Sequence, residues 1–284
     1  MFKIINYLFQ SMLIYFFFLI GIIFRIKISR KIFSSLFSFI GPFFKSKKIL
    51  NKNLGIYSKN ISEKIKKEII KGMWKNYGMT FIEYMFLDFF KKQNSHIIIK
   101  GEENLSPIKN GKPVIFVSGH FANFELMSME ITKKNIKLAT IYRPLNNIFL
   151  NPLMEYLRKK YVCKNQIQKG IKGVREAINY IKNNHSIALM IDQRVSEGEK
   201  IEFFGKPALT TTLPAQLSKK YNLDIIPVYI ERISVDKFEL KFLDIIKHSN
   251  SQDKVDLTKK LNKILEKMII KNPNQWIWTH NRWK

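Results

Sequence analysis

Residues 4–24 carry no charged side chain and are rich in Phe, Ile and Leu. A run of about 20 such residues can span a bilayer or lie deep in its interface. A second apolar stretch, residues 32–44, is too short to span, and Gly41-Pro42 is expected to end it. Residues 61–92 predict helix, with Ile65, Ile69, Ile70 and Trp74 on one side and an aromatic series of Trp74, Tyr77, Phe81, Tyr84 and Phe86. That series is either core packing or one wall of an apolar groove. From residue 96 the pattern alternates. Strands are predicted at 97–100, 113–118, 137–142, 186–191, 224–232 and 238–246, and helices at 122–134, 147–160, 171–183, 212–220 and 253–271. This predicts an α/β fold: a mixed, largely parallel central sheet flanked by helices, with an N-terminal membrane-anchoring helix. Only Ile233–Lys237 separates the last two strands, so they are expected to pair as a hairpin. The expected division is an anchor over 1–45 and one domain over 46–284.

Charge sharpens the picture at the N-terminus. Arg25, Lys27, Arg30 and Lys31 follow the first apolar run, which by the positive-inside rule places the rest of the chain in the cytoplasm. A cleaved signal peptide is the rival, but no Ala-x-Ala site follows. Basic flanks, including Lys45, Lys47, Lys48 and Lys52, would let residues 32–44 lie in the membrane plane near anionic head groups. Over all 284 residues the formal net charge is +27, a surface that seeks polyanions such as nucleic acid, anionic lipid or an acidic protein. Part of that excess is the general abundance of Lys in a Lys-, Ile- and Asn-rich chain. The single cysteine, Cys163, excludes an internal disulfide, and five scattered histidines offer no metal-ligand spacing, so no metal and no cofactor are expected.

The candidate chemistry lies in Val114–Glu125. An apolar strand ends at Ser118-Gly119, His120 follows, and Glu125 stands five positions later. On an ideal helix, residues five apart point about 140° away from each other. His120 and Glu125 can therefore meet only if His120 lies in the turn before the helix. A neutral imidazole oriented by a carboxylate can take a proton from a hydroxyl as it attacks a carbonyl. Arg143, after the strand 137–142, is placed to grip a phosphate at a strand end. Asp192 ends another apolar strand, where it either caps a loop or orients Arg143, Arg158 or substrate. Arg158 by itself is a basic helix C-terminus.

The segment His120-Phe121-Ala122-Asn123-Phe124-Glu125 resembles the His-x4-Asp/Glu motif of the lysophospholipid acyltransferase superfamily. The wider chain resembles that superfamily's lipid A biosynthesis branch, the lauroyl and myristoyl acyltransferases. The matching pieces run from about Asn76 to the C-terminus. They include Tyr142-Arg143-Pro144 with Asn147, Leu157-Arg158, Ile191-Asp192-Gln193, Phe203-Phe204-Gly205-Lys206-Pro207 with Thr210–Thr212, and Pro273-Asn274-Gln275-Trp276-Ile277-Trp278-Thr279-His280. The resemblance implies His120 as general base oriented by Glu125, with Arg158 and Asp192 as supporting catalytic residues. Arg143, Asn147, Gly205 and Thr211 would then line the substrates, the last two bordering the donor's acyl chain. Gln193 departs from the small or His residue of some members, which leaves the local hydrogen bonding open.

It further implies acyl carrier protein as donor, a phosphorylated lipid A precursor at an anionic membrane surface as acceptor, and an inner-membrane enzyme with its catalytic domain on the cytoplasmic side. Glycerophospholipid or mannosylated phosphatidylinositol acylation is the alternative within the chemistry. Gly119 before His120, and the lack of a Pro-Glu-Gly-Thr block, disfavour the phospholipid version. A membrane-tethered nucleic-acid-binding protein is the alternative of another class. The chain shows no helix-turn-helix, ribonucleoprotein or zinc signature, so no nucleic acid is expected. A catalytically dead scaffold would require His120 and Glu125 to be apart or buried away from any groove.

Overall fold

The structure, a computed structural model, describes residues 2–249, 251 and 253–284. Four helices come first: α1 (Phe2–Ile23), α2 (Arg25–Phe44), α3 (Lys47–Tyr57) and α4 (Glu63–Glu83). A 3-10 turn at Tyr84–Phe86 leads into α5 (Leu87–Lys92), so the helical run expected over 61–92 is two helices with a tight turn between them. The alternating part follows: β1 (Ile97–Lys100), α6 (Ser106–Lys109), β2 (Ile115–Ser118), α7 (Glu125–Lys133), β3 (Leu138–Tyr142), α8 (Asn151–Leu157), β4 (Asn165–Gln168), α9 (Ile171–Lys182) and β5 (Ser186–Met190). It ends with β6 (Glu199–Phe203), β7 (Lys206–Thr210), α10 (Leu213–Tyr221), β8 (Ile225–Arg232), β9 (Phe238–Phe242) and α11 (Lys254–Lys271).

Seven strands form one sheet in the order β1-β9-β8-β2-β5-β3-β4. Pairing from β8 through β2, β5 and β3 to β4 is parallel. The expected β8–β9 hairpin is antiparallel, and β1 adds parallel to β9. Every residue of β2 and of β8 is buried, as central parallel strands require. Helices α7, α9, α10 and α11 pack on this sheet. Three strands were not foreseen. β4, Asn-Gln-Ile-Gln, carries one apolar residue because it is an edge. β6 and β7 form a separate hairpin with half-polar strands. The two strands are joined by a tight turn: Phe204 and Gly205 take φ of 51° and 67°, the left-handed pair of a two-residue hairpin turn.

The N-terminal helices dock on this body. Gly41 of α2 lies against the Trp74 ring, where a Cβ would come within 2.3 Å, and Gly78 of α4 lies against the Phe33 carbonyl. These small residues let α2 and α4 approach closely, and α2 runs through Pro42 to Phe44 rather than stopping at Gly41. The aromatic series is mainly packing: Trp74 is buried and Phe81 stacks on Phe18 of α1 with ring centroids 4.9 Å apart. Of the four basic residues after α1, Arg25, Lys27 and Lys31 are exposed, but Arg30 is buried. Its Nε donates to Glu83 Oε1 at 2.6 Å. Arg232, at the end of β8, donates through Nη1 and Nη2 to the two Glu83 oxygens at 2.7 and 2.9 Å. Burial opposes ionisation of Glu83, but the two guanidiniums outweigh it and hold its pKa below the ordinary carboxylate value.

Replacing Glu83 with Ala leaves two buried arginines uncompensated. We expect Glu83→Ala to lower unfolding stability by roughly 3–5 kcal/mol, read from urea denaturation of the detergent-solubilised protein. A loss under 1 kcal/mol would contradict this ion-pair account.

Candidate active site

The sheet's register builds the site. Ser118 of β2 pairs with Met190 of β5 in parallel, so the residues two beyond each strand, His120 and Asp192, emerge side by side at the carboxyl ends. Gly119 has to be small, since a Cβ there would stand 2.8 Å from the Phe121 ring and 3.2 Å from the Asp192 carboxylate. His120 Nδ1 and Asp192 Oδ1 are 2.8 Å apart, and the His120 backbone N–H donates to Asp192 Oδ2 at 2.8 Å. Trp276 Nε1 donates to the same Oδ2 at 2.9 Å. Asp192 is wholly buried, whereas about a fifth of the His120 side chain is exposed. Burial alone would raise the Asp192 pKa, but His120 and these N–H donors outweigh it and keep the carboxyl below its ordinary value. A carboxylate on Nδ1 fixes the tautomer that leaves Nε2 as the basic nitrogen. The Phe124 ring packs edge-on against the imidazole at 4.7 Å.

Glu125 does not hold the place expected of it. Its Oε1 accepts from the Tyr84 hydroxyl at 2.6 Å and from Arg158 Nε at 2.8 Å, and the hydrogen bonds of the described residues join Nδ1 of His120 to Asp192 instead. The reason is helical phase. Glu125 is the first residue of α7 and faces Arg158, which ends α8 and enters a turn of π-helix. Arg158 Nη2 lies 2.7 Å from the same oxygen and donates to Tyr84 at 3.3 Å. Desolvation works against the guanidinium, but Glu125 and Tyr84 more than offset it and raise its pKa.

The turn between His120 and α7 is clamped on all sides. Phe121 is fully buried. Ala122 has a φ of 44°, in the left-handed region. Its N–H donates to the Gln275 carbonyl at 3.2 Å, and its carbonyl accepts from Thr80 at 3.0 Å and Asn76 at 3.4 Å. Asn123 Nδ2 donates to Glu83 Oε2 at 3.0 Å.

The four residues expected at the substrates occupy unlike environments. Arg143 is exposed at the end of β3, its Nη2 3.4 Å from Asn146 Oδ1. Asn147 is buried and structural: its Nδ2 donates to the Tyr7 carbonyl at 2.8 Å, and its Oδ1 accepts from the N–H groups of Phe149 and Leu150. α8 begins after this turn, at Asn151 and not at 147. Gly205 is exposed in the β6–β7 turn, and Thr211 Oγ1 accepts from the N–H of Leu213, the first residue of α10, at 3.3 Å.

The C-terminal segment supplies what the sequence reading missed. Besides Trp276, Arg282 donates to the Leu209 carbonyl and to Thr210, and Trp283 donates to the Phe203 carbonyl, so the tail ties the β6–β7 hairpin to Asp192. The only signal was the presence of Trp and Arg in a tail already noted for its motif. His280 is no rival base. Burial lowers its pKa, and its Nε2 already accepts from the Arg194 N–H at 2.8 Å. A cleft of about 470 Å³ opens at the other end of the sheet, between Lys109, Lys112, Lys134 and Lys137. It lies at the amino ends of β2 and β5, away from the strand ends where His120 and Asp192 meet.

The structure thus combines an α/β body, an imidazole–carboxylate pair at the carboxyl ends of two neighbouring strands, and a 22-residue apolar helix suited to membrane anchoring. A family profile described as bacterial lipid A biosynthesis acyltransferase matches residues 2–284, and the chain belongs to that family. It is thus an acyltransferase of lipid A and lipopolysaccharide biosynthesis. The lipid A biosynthesis palmitoleoyltransferase of Escherichia coli K12 is 24% identical over 251 residues, 86% of this chain and 80% of that one. The lipid A biosynthesis acyltransferase of Shigella flexneri matches to the same extent. That of Haemophilus influenzae is 22% identical over 248 residues, 83% of this chain and 76% of its own.

The depressed pKa of Asp192 sets a pH dependence of stability. The unfolded carboxyl takes its proton near pH 3.9, and the folded one only at lower pH. The stabilisation is therefore complete above the unfolded value and is lost as pH falls through the folded one. We expect Asp192→Asn to flatten part of the acid limb of the stability curve, measured by thermal unfolding between pH 2 and 6. An unchanged limb would show that Asp192 has no such linkage.

Proposed function

We propose that this protein transfers a fatty acyl chain from acyl carrier protein to a hydroxyl of a phosphorylated lipid A precursor on the cytoplasmic face of the inner membrane. The observation that carries the reading is the His120–Asp192 pair at the strand ends, in a chain whose family acts in lipid A biosynthesis. His120 Nε2 takes the proton of the acceptor hydroxyl as its oxygen attacks the thioester carbonyl. Asp192 accepts from Nδ1–H and stabilises the imidazolium. The tetrahedral intermediate collapses with cleavage of the C–S bond, and the imidazolium returns its proton to the leaving thiolate. No covalent enzyme intermediate is needed, consistent with Cys163 being buried.

In this scheme Glu125 acts through Arg158, fixing a guanidinium that is held by three contacts to two groups, Glu125 and Tyr84. Arg158 then supplies positive charge for the developing oxyanion or an acceptor phosphate. Arg143, exposed at the end of β3, offers a second contact for phosphate. The net charge of +27 suits both an acidic carrier and a phosphorylated lipid. Residues 1–45 serve as anchor and 46–284 as the catalytic unit. The exposed Arg25, Lys27 and Lys31 after the apolar helix suit the anionic surface of the cytoplasmic leaflet.

The test is acyl transfer by membranes containing the protein, offered radiolabelled lipid A precursor with lauroyl-, myristoyl- and palmitoyl-carrier protein beside a lysophospholipid control. The precursor alone should be acylated. Transfer to the lysophospholipid alone would replace this reading. His120→Ala should lower the rate roughly 10²-fold or more. Asp192→Asn should fall nearly as far. Glu125→Gln should lose less and should chiefly weaken acceptor binding. Wild-type rates in His120→Ala would overturn the general-base assignment.

A further inference from the structure

α1 has two unlike faces. Ser11, Phe18 and Gly21 are buried, and Tyr7 and Ile14 complete the same stripe along the helix. The opposite arc, through Ile5, Phe9, Met12, Phe16 and Leu19, is exposed and apolar. The stripe is fastened at both ends. Near its start, Asn147 donates to the Tyr7 carbonyl at 2.8 Å and the Tyr15 hydroxyl donates to the Phe149 carbonyl at 2.7 Å. Near its end, Ser29 Oγ donates to the Gly21 carbonyl at 2.6 Å and Phe18 stacks on Phe81 of α4.

These contacts are incompatible with α1 crossing a bilayer. With Ile23 and Arg25 at the head groups of a spanning helix, Tyr7 would lie about 24 Å deeper, at 1.5 Å per residue. The loop bonded to Tyr7 and Tyr15 would have to follow, carrying the exposed Arg143 and Asn146. An arginine at that depth costs at least about 2.5–3.5 kcal/mol, and irregular backbone is not tolerated against lipid. α2 would also have to follow, since it returns antiparallel to α1, with Ser29 at Gly21 and Phe33 at Phe17. α2 is itself packed on α4, whose outer side carries the exposed Lys64, Lys67, Lys71 and Lys75.

We propose that α1 lies in the plane of the cytoplasmic leaflet with its exposed arc among the acyl chains, and that the protein binds the membrane from one side only. The occupant of this face is an anionic phospholipid surface. Two further features of the chain suit it. The antiparallel course of α2 carries its end back toward the start of α1, and there Phe39, Phe43 and Phe44 are each more than 70% exposed. Lys45, Lys47 and Lys48 follow directly and are exposed, the polybasic complement of an anionic surface. The loop of Arg143, pinned to α1, is then held at head-group level. This inference does not depend on which acyl chain or acceptor is used.

Spin labels placed singly at Ile5→Cys, Met12→Cys and Leu19→Cys share one helix face, drifting only about 20° per seven residues. All three positions are exposed, so the core is undisturbed. The native Cys163 is buried, and its background is recorded in the protein without an added cysteine. In phosphatidylethanolamine–phosphatidylglycerol vesicles, power saturation with oxygen and a nickel complex should place all three labels at one shallow depth, about 5–10 Å. Depths that step by about 10 Å from one label to the next, the rise of seven helical residues, would overturn the proposal, as would three water-exposed labels. Because the readout is depth, it stands or falls separately from the transfer assay.

Discussion

One buried carboxylate, Glu83, joins the parts of this protein. Its two oxygens hold Arg30 from α2, Arg232 from the end of β8 and Asn123 from the turn that carries His120. Each buried ion costs several kcal/mol to desolvate, so an arrangement like this is weak evidence for stability in itself. Its value lies in geometry. Two guanidiniums share one carboxylate, and the excess positive charge is spread over the faces of Phe90 and Phe238, the latter 4.4 Å from the Arg232 guanidinium. The α2–α4 pair, the end of β8 and the turn that carries His120 are thereby fixed to one point. A shift in any of them breaks a charge-assisted hydrogen bond in a dry site.

The site is then set by backbone constraints more than by side-chain choice. Parallel register brings His120 level with Asp192. Gly119 keeps the exit from β2 clear of the carboxylate, and Ala122 is held left-handed because both its N–H and its carbonyl are engaged. Trp276 closes the arrangement from the far end of the chain. Asp192 meets three N–H or ring-nitrogen partners, one at Oδ1 and two at Oδ2, which is why a fully buried acid stays ionised beside an imidazole that is only partly enclosed. In the proposed mechanism a carboxylate held in this way costs little reorganisation when the imidazolium forms.

The legible part of this protein is whatever repeats at short range. The alternation of strands and helices from residue 96 is written in apolar periodicity, and the His120 turn is marked by an apolar run ending in Ser-Gly. The partner of His120 is 72 residues away. Its identity depends on β5 lying beside β2, and strand order leaves no local trace. Glu125 was the nearer carboxylate, but a first-turn residue of α7 points along the helix phase to Arg158. Arg30 fits a basic flank of an apolar helix equally well whether it faces head groups or a carboxylate 53 residues on. β4 and the β6–β7 hairpin were invisible for a plainer reason: edge strands and half-exposed ribbons lack the apolar run that marks a buried strand.

The placement of α1 connects these observations. It packs against the turn at Tyr84–Phe86, and the Tyr84 hydroxyl bonds to Glu125, which holds Arg158. One layer of side chains thus separates the apolar face of α1 from the charged wall of the site. A helix that merely tethered the domain would not need that contact, nor bonds from Asn147 and Tyr15 to and from the loop of Arg143. Those bonds make the anchor part of the site's framework. In the proposed placement, a helix fixed in this way would set the height of the arginines above the lipid, and with it the part of a bound lipid that reaches Nε2 of His120.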